Sequence, residues 1–365
     1  TPVGAGERGF YGREPSTQGM QLGVAHVELG EPGSTYDELV ASDLSDAAGE
    51  LRTGRVESVE LIGDVRAAEA RTEAERQFIE RIDRRLSELR NKAIVLYVHG
   101  YRVTFDDVAV LMGSLSANLG QGTTVAFQWP TGLHWWNYFT DCPTVEKYAP
   151  DVVRTIELLG HTQADYISLL AYSCGAPLLA AALEQLRGRY PDESREQLTE
   201  RFRIGSVVFA ASDVDLKTFA RNHVPAIMDL AQQTTIYMSR GDSALGVSTL
   251  IAGVSRIGRP AVEDLSVKEI QQLAQDPRLH GIDVTDVRGA HDLGGAAGHA
   301  YWYSNAWIAT DVLVSLRWPL SPDQRCLVRD KEYTRIWLMP DDYPDCVAKG
   351  LLQVYPELRR AAQSK

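Results

Sequence analysis

Short, continuous apolar runs alternate along this chain with segments whose apolar residues recur every third or fourth position. Ile94-Val95-Leu96-Tyr97-Val98 is such a run, ending in His99-Gly100. Lacking polar alternation, it suits a central strand of a parallel sheet covered on both faces. Thr104 and Asp107 follow with the spacing of a capping box. Val108, Leu111, Met112, Leu115 and Leu119 then recur at helical spacing, with Gly120 as a stop. Thr124 to Trp129 reads as the next strand and Pro150 to Leu159 as the next helix, with Pro150 well placed as its first residue. Asp165 to Leu170 is again strand-like and Ala176 to Leu186 helical, and further strands are predicted at Ile204 to Ala210, Thr234 to Met238 and Ile282 to Val287. This alternation predicts a doubly wound, mostly parallel α/β sheet with helices on both faces. Ligands of such sheets bind beyond the carboxyl ends of the strands.

The flanks are less regular. Residues 1–20 are rich in Gly, Pro, Ser and Thr and read as a surface-wrapping arm, and residues 21–30 and 56–62 as the first strands. Between those two, residues 31–52 are polar and acidic without periodicity. Glu69 to Arg90 is strongly charged yet carries Phe78, Ile79, Ile82, Leu86 and Leu89 at helical spacing, so the charges form the solvated face of a surface helix. A length of 365 residues permits one decorated domain or two small ones, and the continuous alternation favours one. The expected organisation is an arm over 1–20, a domain over 21–320 and a C-terminal extension over 321–365. That extension carries Tyr333, Trp337 and Tyr343 and packs back on the domain.

The candidate chemistry sits at the strand ends. Ala171-Tyr172-Ser173-Cys174-Gly175 lies between a predicted strand and a predicted helix. A serine on that turn reads as a nucleophile elbow, G-x-S-x-G, with Ala171 replacing the first glycine. A loop serine without chemistry is the plainer alternative. A nucleophilic serine needs a base, and the base an orienting carboxylate, in the chain order serine, acid, histidine. Asp242 and Asp213 each follow a strand after the elbow. Asp242 is favoured because the acid usually follows the second such strand, although it also reads as a helix N-cap before Ala244-Leu245. His291 and His299 both follow the last strand. His26, His134, His161, His223 and His280 have no comparable placement and read as surface or loop residues.

Six segments together resemble the bacterial α/β-hydrolase family catalogued as domain of unknown function 900. They are Val98-His99-Gly100-Tyr101 with Thr104-Phe105, Phe127-Gln128-Trp129-Pro130, the elbow, Ala211-Ser212-Asp213-Val214-Asp215, Tyr237 to Leu245, and Gly298-His299-Ala300-Tyr301. The likeness spans roughly residues 90–315. It implies an α/β-hydrolase fold and favours Asp242 over Asp213 and His299 over His291. Similar proteins usually carry His-Ser-Met-Gly at the elbow, so Tyr172-Ser173-Cys174-Gly175 is a departure that leaves the serine in place. The implied activity is that of a serine esterase, with Ser173 as nucleophile, His299 as base and Asp242 orienting it. The backbone N–H groups of Cys174 and Tyr101 would hold the oxyanion. Acyl transfer or amide cleavage by the same residues is one alternative, and a binding or scaffold protein without turnover is another. Trp135, Trp136, Tyr138 and Phe139 follow a strand end; they either line an apolar substrate pocket near Ser173 or fold down onto the core. No run resembles a long lipid-inserting lid, so a small or medium ester is the expected substrate.

Composition narrows the partners. A net charge of −12 argues against nucleic acid or an anionic membrane surface, and no stretch is long and apolar enough to span a bilayer. Nothing in the sequence addresses oligomeric state. The chain opens on Thr1 rather than Met, so an upstream segment is expected to be missing. Secreted and lipoprotein forms occur in the resembling family, which points to an exported protein. Of four cysteines, Cys174 is expected to pack behind the elbow, Cys326 and Cys346 are spaced to pair, and Cys142 has no evident partner. There is no zinc-ligand spacing, phosphate-binding loop or dinucleotide fingerprint, so no metal or cofactor is expected.

Overall fold

Both faces of the strand Ala93–Val98 are covered, which is why its sequence is apolar without alternation. Ile94, Leu96 and Val98 enter one core, and Val95 and Tyr97 enter another on the opposite face of the sheet. The computed structural model describes residues 19–30, 54–65, 71–119, 122–288, 298–318, 320–331, 333 and 335–354. The polar stretch 31–52, most of the arm, Gly120 and His291 lie outside them.

The strands are β1 (Met20–Leu29), β2 (Gly54–Val65), β3 (Ala93–Val98), β4 (Thr123–Phe127), β5 (Tyr166–Tyr172), β6 (Ile204–Ala210), β7 (Ala231–Met238), β8 (Leu279–Asp283), β9 (Val328–Arg329) and β10 (Ile336–Leu338). Eight of them form one sheet in the order β4-β3-β5-β6-β7-β8-β10-β9, parallel except for the pair β10–β9. β1 and β2 pair antiparallel with each other in a separate two-stranded sheet. The chain runs outward from β3 to β4, then crosses back to β5 on the other side of β3. The carboxyl ends of β3 and β5 therefore frame the point where strand order reverses, the usual ligand crevice of a doubly wound sheet.

The helices begin where the sequence places caps. Thr104 accepts the Asp107 N–H while the Asp107 carboxylate accepts that of Thr104, opening the helix Phe105–Asn118. Thr72 and Glu75 make the same reciprocal cap for Glu73–Ser87, whose buried side includes Phe78, Ile79, Ile82 and Leu86. Ala149–Gly160 starts one residue before Pro150.

Three expectations are corrected. The apolar run Ile282 to Val287 is a strand only to Asp283, because Val284 and Val287 are buried in a turn closed by Val287 N–H to Val284 O. His280 sits inside β8 with its ring edge on Trp337, and His223 is buried against Phe219, so neither is a surface residue. A compact imidazole can be packed at such positions, which apolar patterning does not reveal.

The C-terminal extension contributes β9, β10 and the helix Tyr343–Val354. Asp311 is its anchor: Tyr237, Tyr343 and Arg325 all donate to that fully buried carboxylate. Arg325 is equally buried, so the two charges neutralise each other inside the core. The Cys326–Cys346 disulfide closes the extension.

Candidate active site

The turn after β5 puts Ser173 at φ 51°, a left-handed conformation uncommon for residues with a side chain. Its N–H donates to Ala210 O, its carbonyl accepts from Asp213 N–H, and the helix Gly175–Arg189 starts two residues later. Gly175 is demanded by sterics. A side-chain carbon there would lie 2.3 Å from His99 O and 2.5 Å from Val98 O, both backbone atoms of the neighbouring strand end. Gly175→Ala is therefore expected to destabilise the fold by about 3 kcal/mol or more, measured as a urea midpoint. A change under about 1 kcal/mol would mean that the strand end yields.

Asp242 opens the helix Ser243–Ala252 and is fully buried. Its two oxygens divide the work. Oδ1 accepts the Leu245 N–H at 3.0 Å as an N-cap, and Oδ2 accepts His299 Nδ1–H at 2.7 Å. The cap thus fixes the direction of the oxygen that faces the imidazole. His299 Nε2 stands 2.8 Å from Ser173 Oγ. With the Nδ1 proton turned to Asp242, Nε2 presents a lone pair to the serine hydroxyl.

The segment bearing His299 is held by its neighbour but one. The Tyr301 hydroxyl donates to Tyr237 O and accepts Ala211 N–H, each at 2.9 Å, tying the segment to the ends of β6 and β7. The Tyr172 ring lies against the imidazole, with centroids 5.2 Å apart.

Asp213 has other neighbours. Tyr138 donates to one of its oxygens at 2.6 Å and Ser248 to the other at 2.5 Å, and Arg256 stands 3.1 Å away as counter-ion. Burial, and then the Asp213 charge, push the Tyr138 phenol well above its ordinary pKa, so it remains a donor.

His99 is enclosed and both its ring nitrogens are engaged. Nδ1–H donates to Gly100 O at 2.7 Å, and Nε2 accepts Trp129 N–H at 3.0 Å. Its ring stacks on Trp129, whose indole N–H returns a bond to His99 O. Burial lowers its pKa from 6.5 to about 4, against the pull of those two backbone partners. Between those values the unfolded chain binds a proton that the folded chain refuses. Stability is thus complete above pH 6.5 and falls as pH drops towards 4, by on the order of 3 kcal/mol for His99 alone. His280, lowered to about 4 by burial and then by Arg325, adds in the same direction. Urea midpoints measured from pH 7 to 4 should fall accordingly; a flat profile would contradict both assignments.

The loop after β3 meets the elbow closely, since a side-chain carbon on Gly100 would lie 3.0 Å from Ser173 Cβ. Tyr101 and Cys174 therefore flank the serine from two strand ends. Within the aromatic segment after β4, Tyr138 packs against the core, whereas Trp135, Trp136 and Phe139 are 66%, 52% and 47% exposed. They pack edge-on with one another and with half-buried Tyr138. Cys142, at the end of this segment, is disulfide-bonded to Cys174. It thus has a partner after all, and parity was the available signal: once Cys326 and Cys346 pair, two of four cysteines remain. Among the described residues, Cys142, Cys174 and Asp213 bring donor atoms close enough for a metal, but the two sulfurs are bonded to each other. Also among the described residues, no helix is long and apolar enough to cross a membrane.

The family model described as alpha/beta hydrolase of unknown function (DUF900) matches residues 72–317. The chain belongs to that family. The match takes in β3 to β8 and the Ser173, Asp242 and His299 positions. No curated protein sequence matches the chain. Among solved structures, an esterase of Pyrococcus furiosus aligns at 12% identity and TM-score 0.34, over 63% of this chain and 85% of its own. A lipase-esterase related protein of Clostridium acetobutylicum aligns at 10% identity and TM-score 0.33, over 62% and 95%. A lipase/esterase of Lactobacillus plantarum aligns at 14% and 0.29, over 60% and 86%.

Proposed function

We propose that this DUF900 α/β-hydrolase is a serine hydrolase cleaving carboxylic esters through an acyl-enzyme on Ser173. The observation that carries the proposal is the unbroken row of hydrogen bonds from Ser173 Oγ to His299 to buried Asp242. His299 Nε2 takes the serine proton as Oγ attacks the ester carbonyl, and Asp242 stabilises the imidazolium that results. The N–H groups of Cys174 and Tyr101 receive the developing oxyanion, aided by the positive end of the helix Gly175–Arg189. His299 then returns its proton to the leaving alcohol. Water, activated by the same imidazole, releases the acid. His99 takes no part, because its ring nitrogens face Gly100 and Trp129.

Exposed Trp135, Trp136 and Phe139 fit an open rim that receives a small or medium ester. Two disulfides among the described residues fit an exported protein in an oxidising compartment.

Fluorophosphonate labelling with mass mapping, run beside a chain-length series of p-nitrophenyl esters, tests the proposal. Labelling of Ser173 with ester turnover supports it. Labelling without turnover points to acyl transfer or amide cleavage by the same residues. A folded protein that neither labels nor hydrolyses is a scaffold, and the proposal fails.

A further inference from the structure

The segment from Trp129 to Cys142 touches the nucleophile's surroundings on two sides. On one side it reaches the loop after β3: the Tyr101 hydroxyl donates to His134 O, and Arg102 N–H donates to Thr131 Oγ1 at 3.1 Å. On the other it ends in Cys142, bonded to Cys174 directly after Ser173. The segment is braced internally by Gly132 N–H to the Asp141 carboxylate at 2.7 Å. It is braced from below by Tyr138 on Asp213, whose own N–H donates to Ser173 O. One short strap thus joins the two residues whose N–H groups would receive the oxyanion.

We propose that the Cys142–Cys174 disulfide is a positioning element of this site, holding the Cys174 and Tyr101 N–H groups on one point, and that a dithiol reductant lowers catalysis by opening it. The proposal rests on the serine-hydrolase reading.

The exposure of the two sulfurs sets the chemistry. Cys174 is fully buried, whereas Cys142 is partly accessible. A thiolate of the reductant attacks Cys142 Sγ and breaks the S–S bond, and Cys174 leaves as a thiolate that then takes up a proton. The reductant's second thiol then displaces Cys142 and closes a cyclic disulfide. Two electrons and two protons pass from reductant to protein. Buried Asp213 Oδ2 lies 3.7 Å from Cys174 Sγ and disfavours a thiolate there, which slows the first step. The guanidinium of Arg256 faces the same carboxylate and moderates that effect.

The test uses the Cys326→Ala/Cys346→Ala variant, in which the remaining disulfide is Cys142–Cys174, with dithiothreitol as reductant. Release of two thiols should accompany a fall in kcat of about tenfold, with KM for p-nitrophenyl butyrate changed less than about threefold. Reoxidation should restore kcat, and hydrogen exchange over residues 130–142 should rise on reduction. Cys142→Ala in the otherwise native chain should show the same lowered kcat and no response to reductant. A folded, fully reduced enzyme with unchanged kcat overturns the proposal. So does a loss that only tracks the unfolded fraction by circular dichroism. If the oxidised enzyme neither labels nor hydrolyses, the serine-hydrolase reading falls and takes this one with it; active enzyme indifferent to the disulfide overturns this one alone.

Discussion

Ser173→Ala is expected to lower kcat on p-nitrophenyl esters by about a millionfold and to abolish fluorophosphonate labelling. The reason is specific to the hydroxyl. His299 Nε2 faces Ser173 Oγ at 2.8 Å, and no second nucleophile lies in that row. Alanine can hold the left-handed backbone that Ser173 adopts at φ 51° about as well as serine, since both carry a Cβ. Folding should change by less than about 1 kcal/mol, so the loss reads chemistry rather than stability. A small residual rate from the oxyanion donors is expected to remain above that of water. A folded variant that keeps more than a hundredth of native kcat would remove Ser173 from the reaction.

Asp242→Asn is expected to lower kcat by about ten-thousandfold while leaving the fold nearly intact. The carboxylate has two duties, and asparagine separates them. As an N-cap it serves nearly as well as aspartate, so its carbonyl can keep the Leu245 N–H and hold the helix Ser243–Ala252. Towards His299 it then presents an amide N–H, which cannot accept the Nδ1 proton. The imidazole turns to the other tautomer, and Nε2 no longer offers a lone pair to the serine. Asp242→Ala should show the same kinetic loss plus about 1 kcal/mol of lost stability from the missing cap. Equal kcat in Asp242→Asn and the native enzyme would show that this carboxylate does not orient the base. Attention would then pass to Asp213, whose oxygens are occupied by Tyr138, Ser248 and Arg256.

Much of this was legible because the signals are local. Ile94 to Val98 must be a doubly covered strand, since each residue along it is apolar, and the capping box of Thr104 and Asp107 is a matter of three-residue spacing. Ser173 stood out because the turn from β5 into the next helix tolerates only glycine at 175, against the carbonyls of Val98 and His99. Asp242 and His299 were legible as the better of two options each, from order and strand ends and from a family likeness. The buried histidines were not legible: His280 and His223 are packed by residues far away in sequence, and an imidazole looks the same in a list whether wet or dry.

The sequence by itself determined the alternation of strand and helix, the strained turn at Ser173 and the order of Ser173, Asp242 and His299 along the chain. Those follow from sterics, periodicity and caps within a few residues. Only the tertiary structure decided which acid meets the imidazole, because Asp213 and Asp242 both follow strands and differ in what the third dimension brings to them. It also decided that the aromatic segment is tied to the turn at Ser173, since Cys142 and Cys174 lie 32 positions apart in sequence and the crossover from β4 to β5 places them side by side. Such pairings depend on how strand order reverses around β3, which periodicity does not encode.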